Sequence, residues 1–246
     1  MDFMKIQSLA VLQARMSSRR LPGKVLMPIN DMPIIYWQIK RVLKSNAIDD
    51  LVVATSIDKS DDVLVDYLEN IGIKTHRGSL DNVFSRFVDI EKIYMPERII
   101  RLTADCPLIM PEIIDKIVNL QKESNSDYCS NTIIPTFPDG LDTEVVKFGN
   151  FSKFNESNLT AEDLEHVTLV FHRKANEIKY INYFNKEDFS DFRWTVDDAK
   201  DLDFVRTIYG IFRGNEDIFT FQDLMEVLSK NELNERVPRA SPVLNL

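Results

Sequence analysis

Residues 9–24 read LAVLQARMSSRRLPGK, and the fold follows from how this stretch changes character halfway along. Leu9, Val11 and Leu12 belong to an apolar run that reads as a buried strand, and the chain then breaks at once into a polar, basic loop. Loops that leave buried strands are where binding groups concentrate. Arg15, Arg19, Arg20 and Lys24 fall within ten residues, with Ser17 and Ser18 among them, on a chain whose formal net charge is -9. Pro22-Gly23 sets a turn ahead of Lys24, and Gly23 accepts the positive φ that other residues avoid. Backbone N–H groups, hydroxyls and cations converging on one turn suit a polyphosphate. A solvated basic loop is the alternative. The spacing is neither that of the G-x-x-x-x-G-K-[ST] loop nor that of a G-x-G-x-x-G fingerprint.

Working outward, residues 32–45 carry Ile35, Ile39, Val42 and Leu43 at helical spacing, with Pro33 in the first turn. Residues 51–54 read as a strand, 60–70 as a helix capped by Ser60 or Asp61 and ended by Gly72, 73–76 as a strand, 79–94 as a helix. A strand at 98–103 then runs into Ala104-Asp105-Cys106-Pro107. This alternation predicts an α/β fold, a mostly parallel central sheet with helices on both faces. Ligands of such sheets lie beyond the carboxyl ends of the strands, so the topology can bring the basic loop and Asp105 together. Farther on, the pattern predicts a helix at 111–123, a strand at 127–130, a proline-dense loop at 134–142 and a strand at 143–148. A helix at 160–174, with Thr160 as cap and Asp163 three residues on, precedes a strand at 178–183. Helices at 198–212 and 221–228 close the chain, and the tail beyond Arg236 reads as extended.

At 246 residues, 44% hydrophobic and 28% charged, the chain reads as one ordinary globular domain, residues 1–246. The acidic balance argues against nucleic acid or an anionic membrane surface as partner. No stretch approaches 18 uninterrupted apolar residues, and the N-terminal apolar run is too short for a signal peptide. Cys106 and Cys129 give no disulfide framework. A cytoplasmic location is the expectation.

Two acidic motifs carry chemistry. In RLTADCPLI, residues 101–109, Asp105 stands at the end of a buried strand and is held by a Cys-Pro turn. It reads as an oxygen ligand to a divalent cation, or else as a cap or a partner of Arg101. In RWTVDDAKDL, residues 193–202, Thr195 and Val196 read as a strand end, with Asp197 where the chain turns into the next helix. Either Asp197 or Asp198 suits an N-cap, and capping by Asp198 is compatible with metal binding by Asp197. Two such carboxylates about 90 residues apart, facing a cationic loop, fit a magnesium-bound nucleoside triphosphate. Lys24 and Arg15 would stabilise charge growing in the transition state, without a protein nucleophile. Asp142 and Glu144, in PDGLDTEV, read as contacts to sugar hydroxyls or as a solvated strand edge. His166, in EHVT, reads as an acceptor contact or a structural histidine, and Arg86, in GSLDNVFSR, as a cleft residue or a surface ion pair. Tyr36, Trp37, Phe84 and Phe87 sit at helical spacings and read as core.

QARMSSRRLPGKVL meets the pattern A-R-x-x-S-x-R-L-P-G-K at Ala14, Arg15, Ser18, Arg20, Leu21, Pro22, Gly23 and Lys24. It resembles the signature of the cytidylyltransferase family, which includes CMP-3-deoxy-manno-octulosonate and CMP-acylneuraminate synthetases and spore coat polysaccharide biosynthesis protein F. RLTADCPLI and RWTVDDAKDL resemble that family's R-L-T-G-D-C-P-L-I and R-x-T-V-D-x-x-x-D-L, with Ala104 in place of a glycine. PDGLDTEV, EHVT and GSLDNVFSR resemble the spore coat branch. The resemblance implies a glycosyltransferase-A-like nucleotidyltransferase fold and Mg2+ held by Asp105 and Asp197. It implies transfer from CTP to a sugar, sugar acid or sugar phosphate with loss of pyrophosphate, for surface polysaccharide synthesis. Ala14, Arg15, Ser18, Arg20, Gly23, Lys24 and Thr103 would meet the nucleotide, and Asp142, Glu144, His166 and Arg86 the acceptor. A homodimer and an acceptor-binding or dimerisation portion around 131–185 are also implied. The methyl of Ala104 leaves another triphosphate open. A glycosyltransferase or a silent sugar-nucleotide-binding module is a further alternative, with Asp61-Asp62 and Asp197-Asp198 as its weak D-x-D candidates.

Overall fold

The computed structural model of the protein describes residues 5–154, 156–231 and 233, so the expected extended tail beyond Arg236 lies outside the described residues. The chain opens with β1 (Ser8–Gln13), passes a small hairpin of β2 (Pro28–Ile29) and β3 (Met32–Pro33), and enters α1 (Ile34–Val42). β4 (Asp50–Ser56), α2 (Asp62–Asn70), β5 (Lys74–Gly78), α3 (Val83–Tyr94) and β6 (Arg98–Thr103) follow. Next come α4 (Pro111–Ser124), β7 (Tyr128–Ser130), β8 (Glu144–Lys147), α5 (Ala161–His166) and α6 (Leu169–Arg173). β9 (Tyr180–Asn182), α7 (Ala199–Ile211) and α8 (Phe221–Lys230) complete the fold.

Seven strands form one sheet in the order β5-β4-β1-β6-β8-β7-β9, and β8 alone among them runs against the rest. The expected mostly parallel sheet is therefore present. β1 lies inside the sheet between β4 and β6, and it suits that place because it is apolar on both sides. Ala10 and Leu12 enter a core shared with α1, α2, α4, α7 and α8, whereas Leu9 and Val11 enter a second core with α3 and α6. Phe84 and Phe87 are buried in the second core, as their spacing predicts, and Trp37 packs against the first.

Four local expectations are corrected. Asp61 does not cap α2 with its side chain, because that carboxylate is turned inward toward other donors. The helix expected at 79–94 begins at Val83, where the side chain of Asn82 accepts from Ser85 N, and residues 79–80 instead offer their carbonyls to Arg86. Thr195 and Val196 are extended without joining the sheet, held instead by a single bridge between Asp139 and Arg193 and a bond from Val196 N to Asp105 O at 2.8 Å.

The helix expected at 160–174 starts as predicted, with Thr160 and Asp163 in a capping box, and then breaks. Val167 takes φ 59, ψ -60, and Thr168 N donates to His166 O at 2.6 Å, which makes a γ-turn between α5 and α6. This conformation is strained for a β-branched residue, and it persists because the Val167 side chain is fully buried in the second core.

Gly140 brings the distant 193–197 segment to the sheet. It sits at φ 108, and a Cβ there would stand 2.8 Å from the carbonyl carbon of Trp194 and 3.0 Å from Thr195 N. Gly140→Ala therefore pushes away the backbone that leads to Asp197. A loss of more than about 1 kcal/mol of stability is expected in urea denaturation, with activity falling alongside it.

Candidate active site

The basic loop begins where β1 ends. Ala14 N continues the ladder to Ala54 O at 3.0 Å, and Gly23 N then closes the loop on Met16 O at 2.8 Å. Gly23 takes φ 74, the left-handed turn its position calls for, and delivers Lys24 into a short 3-10 turn. Gly23 shapes the loop from behind and does not line the cleft.

Lys24 is the centre of the site. Its Nζ donates to Asp105 Oδ2 at 3.1 Å, to Asp197 Oδ1 at 3.1 Å and to the Val196 carbonyl at 2.7 Å. Burial disfavours the charged ammonium, but the two carboxylates outweigh that and raise its pKa above the ordinary lysine value. For Asp105 burial pushes upward, whereas Lys24 and then a hydrogen bond from Thr103 hold it below the usual carboxylate range. Both groups are thus ionised at neutral pH. Asp197 also meets Arg20 at 2.9 Å and Arg193 at 3.4 Å. Asp198 caps α7 by accepting from Lys200 N and Asp201 N, which leaves Asp197 facing the cleft. Burial and the adjacent Asp105 raise the Cys106 thiol well above its ordinary pKa, so it stays protonated.

Lys24, Asp105, Asp197 and Arg20 line a cleft of about 370 Å³, together with Ala14, Arg15, Ser18, Thr103 and Ala104. The sequence motifs separated by about 90 residues are brought together. Val83, Arg86, Glu165 and His166 line the cleft from α3 and α5, and Arg15 meets Glu165 at 3.5 Å.

Arg86 borders the cleft, as one of its two readings has it, but it is a buried brace, and Glu144 does not border the cleft. Arg86 is 1% exposed, and its guanidinium donates to Ser79 O at 2.7 Å and Leu80 O at 3.1 Å. Burial lowers its pKa to about 10. It braces the turn before α3, so the surface ion pair does not hold. Neither Asp142 nor Glu144 lines the cleft. Glu144 lies opposite Arg101 on neighbouring strands and is buried against it, with Tyr128 donating to Oε1 at 2.6 Å. Because Tyr128 O–H donates to Glu144, His172 Nε2, 3.0 Å away, acts as its donor. Burial lowers the His172 pKa, which keeps that ring neutral at pH 7.

Arg101, not Glu144, reaches the cleft, alongside Gln13. An arginine and a glutamate inside otherwise apolar strands were the signal for this pair. Burial raises the Glu144 pKa, but Arg101 first and Tyr128 next bring it below the ordinary value. Its ionised form therefore contributes stability above the ordinary carboxylate pKa, and that contribution is lost as pH falls through the depressed folded value. Glu144→Gln leaves Arg101 buried without its anion, so a loss of about 3 kcal/mol at pH 7 is expected. In urea titrations its gap to the wild type narrows toward acid pH.

Asp61-Asp62 is not a D-x-D metal site. Asp61 is fully buried among donors, and Asp62 pairs with Arg77 on the surface at 2.7 Å.

The sequence matches the cytidylyltransferase family over residues 9–233. The chain belongs to that family. It is 30% identical to spore coat polysaccharide biosynthesis protein SpsF of Bacillus subtilis over 230 residues, 91% of this chain and 94% of that one. It is 31% identical to a 3-deoxy-manno-octulosonate cytidylyltransferase of Fusobacterium nucleatum over 190 residues, 74% of each chain. The structure of a cytidylyltransferase from Leptospira borgpetersenii superposes with a TM-score of 0.85 at 28% identity, covering 96% of this chain and all of that one. The cytidylyltransferase is thus a CTP-dependent nucleotidyltransferase of the nucleotidyltransferase fold, and Arg15, Ser18, Arg20, Lys24, Asp105 and Asp197 from three of its signatures line one cleft.

Proposed function

We propose that this cytidylyltransferase transfers a cytidylyl group from CTP, with Mg2+, to an oxygen of a sugar, sugar acid or sugar phosphate and releases pyrophosphate, in surface polysaccharide or glycoconjugate synthesis. The acceptor oxygen bonds to the α-phosphorus while the bond from that phosphorus to the β-phosphate oxygen breaks. The observation that carries the reading is the meeting of Lys24, Asp105 and Asp197 in a cleft also lined by Arg15, Ser18 and Arg20. The named relatives, one for spore coat polysaccharide and one a 3-deoxy-manno-octulosonate cytidylyltransferase, support the acceptor class.

Among the described residues no group of three or more His, Cys, Asp or Glu can hold a metal by itself. Asp105 and Asp197 supply two carboxylates around a point that an ammonium already bridges. Such a pair fits Mg2+, which takes one or two carboxylates with phosphate oxygens and water. These two residues would hold the ion, whose chemistry is to neutralise charge on the triphosphate. Lys24 exchanges its carboxylates for phosphate oxygens when the triphosphate enters, and Arg15, Ser18 and Arg20 cradle the rest. Thr103 and Ala14 border the nucleotide, and His166 and Arg101, which line the same cleft, face the acceptor. The 131–185 portion, with Ile134, Tyr180 and Phe184 exposed near the β9 edge, is the dimerisation surface of a cytoplasmic homodimer.

The test is a pyrophosphate-release assay with Mg2+, four nucleoside triphosphates and a panel of ulosonic acids and sugar phosphates. Release from CTP with at least one acceptor is expected, abolished by EDTA and restored by Mg2+. Release that survives chelation would remove the metal from the reading. Tight binding of sugar nucleotides without release from any triphosphate would make the chain a binding module.

A further inference from the structure

We propose that Asp61 is a positioning residue for the triphosphate, a buried carboxylate at the start of α2 that fixes the neck of the phosphate loop. The proposal rests on the reading that residues 15–24 hold the triphosphate of CTP. Asp61 stands at the start of α2 yet gives that helix no side-chain cap. It is 0% exposed, and its two oxygens are divided between two parts of the chain. Oδ1 accepts from Met16 N at 2.7 Å. Oδ2 accepts from Thr55 Oγ1 at 2.9 Å, from Ser56 N at 3.0 Å and from the Ser56 hydroxyl. A buried carboxylate is tolerated only when such donors replace its water, and here one donor is the backbone of the catalytic loop.

Met16 transmits the constraint in both directions. Its N–H is tied to Asp61, and its carbonyl accepts from Gly23 N at 2.8 Å. Arg15 precedes the clamped peptide and Lys24 follows its partner, so the cationic groups on either side of the loop take their positions from one carboxylate. Asp61 touches neither nucleotide nor metal. It acts through Met16, and a displacement of about 1 Å at phosphate-binding groups is enough to cost large factors in rate.

Asp61→Asn separates this role from simple packing. The amide offers one oxygen and one NH2 to two fixed backbone N–H groups. The Oδ2 position meets three donors and the Oδ1 position one, so the amide oxygen takes the Oδ2 position and the NH2 faces Met16 N. Thr55→Val is the control, because it removes a donor from Oδ2 and leaves the Met16 bond intact.

Full-length wild type, Asp61→Asn and Thr55→Val are titrated with CTP and Mg2+ by calorimetry, and their melting temperatures are recorded. Both variants are expected to melt a few degrees lower, about 2–4 °C per lost kcal/mol for a chain of this size. Asp61→Asn is expected to bind CTP at least about tenfold more weakly, on the scale of one 1.4 kcal/mol step, while Thr55→Val stays within about twofold. Asp61→Asn binding CTP as the wild type does would overturn the proposal, as would an equal loss in Thr55→Val. Failure of the wild type to bind CTP is a separate outcome that overturns the nucleotide reading and this proposal with it. Should Asp61→Asn not fold, amide exchange of the wild type without nucleotide decides. A protected Met16 amide carries the proposal, and exchange at the rate of an open loop overturns it.

Discussion

Asp105→Asn and Asp197→Asn are each expected to lower kcat by about 100-fold or more while the chain stays folded. Each substitution keeps the shape of the side chain and removes one of the two carboxylates that meet Lys24 in the cleft. Removing a single preorganised charge contact of this kind costs about 2.7–4 kcal/mol of transition-state stabilisation. The fold survives because the two aspartates lie at the cleft, not in either apolar core, and because Asp198 caps α7 in place of Asp197. Rate measurements at saturating CTP and acceptor, with circular dichroism as the control, check this. Activity near the wild-type level in either variant removes that residue from the metal site.

Lys24→Met is expected to lose about 100- to 1,000-fold in kcat, with a second effect of opposite sign. The ammonium is bonded to both carboxylates and one carbonyl, all three of its donors directed at protein oxygens. Its loss leaves Asp105 and Asp197 repelling one another across the space it filled. That repulsion is relieved by a divalent cation without any need for nucleotide. Mn2+ titration followed by electron paramagnetic resonance, in the absence of CTP, should therefore show tighter binding to Lys24→Met than to the wild type. Equal Mn2+ affinity in the two proteins would mean that the lysine does not hold the cation seat.

How far the sequence carried the fold and the site depended on whether a residue acted locally. β1, β6 and α4 were legible because burial on one or two faces writes itself into a continuous or periodic apolar pattern. Asp105 was legible because it follows a strand of the parallel sheet, Lys24 because it closes the basic loop that leaves β1, and Asp197 because it stands where the chain turns into α7. The γ-turn at Val167 was hidden because the apolar spacing of residues 160–174 is that of an unbroken helix, and only burial in the second core selects the strained conformation. Asp61 looked like a cap because it precedes a helix, while its actual donor, Met16 N, lies 45 residues away. The motif offers sugar contact or a solvated strand edge for Glu144, and its burial is hidden because nothing local reveals the antiparallel register that sets it against Arg101.

A crystal structure of the wild type with CTP and Mg2+ tests the central claim most directly. The predicted result is a triphosphate on Arg15, Ser18, Arg20 and Lys24, with the ion shared by Asp105, Asp197 and phosphate oxygens. A nucleotide bound elsewhere on the surface, with Lys24 still joined to both aspartates, would contradict it.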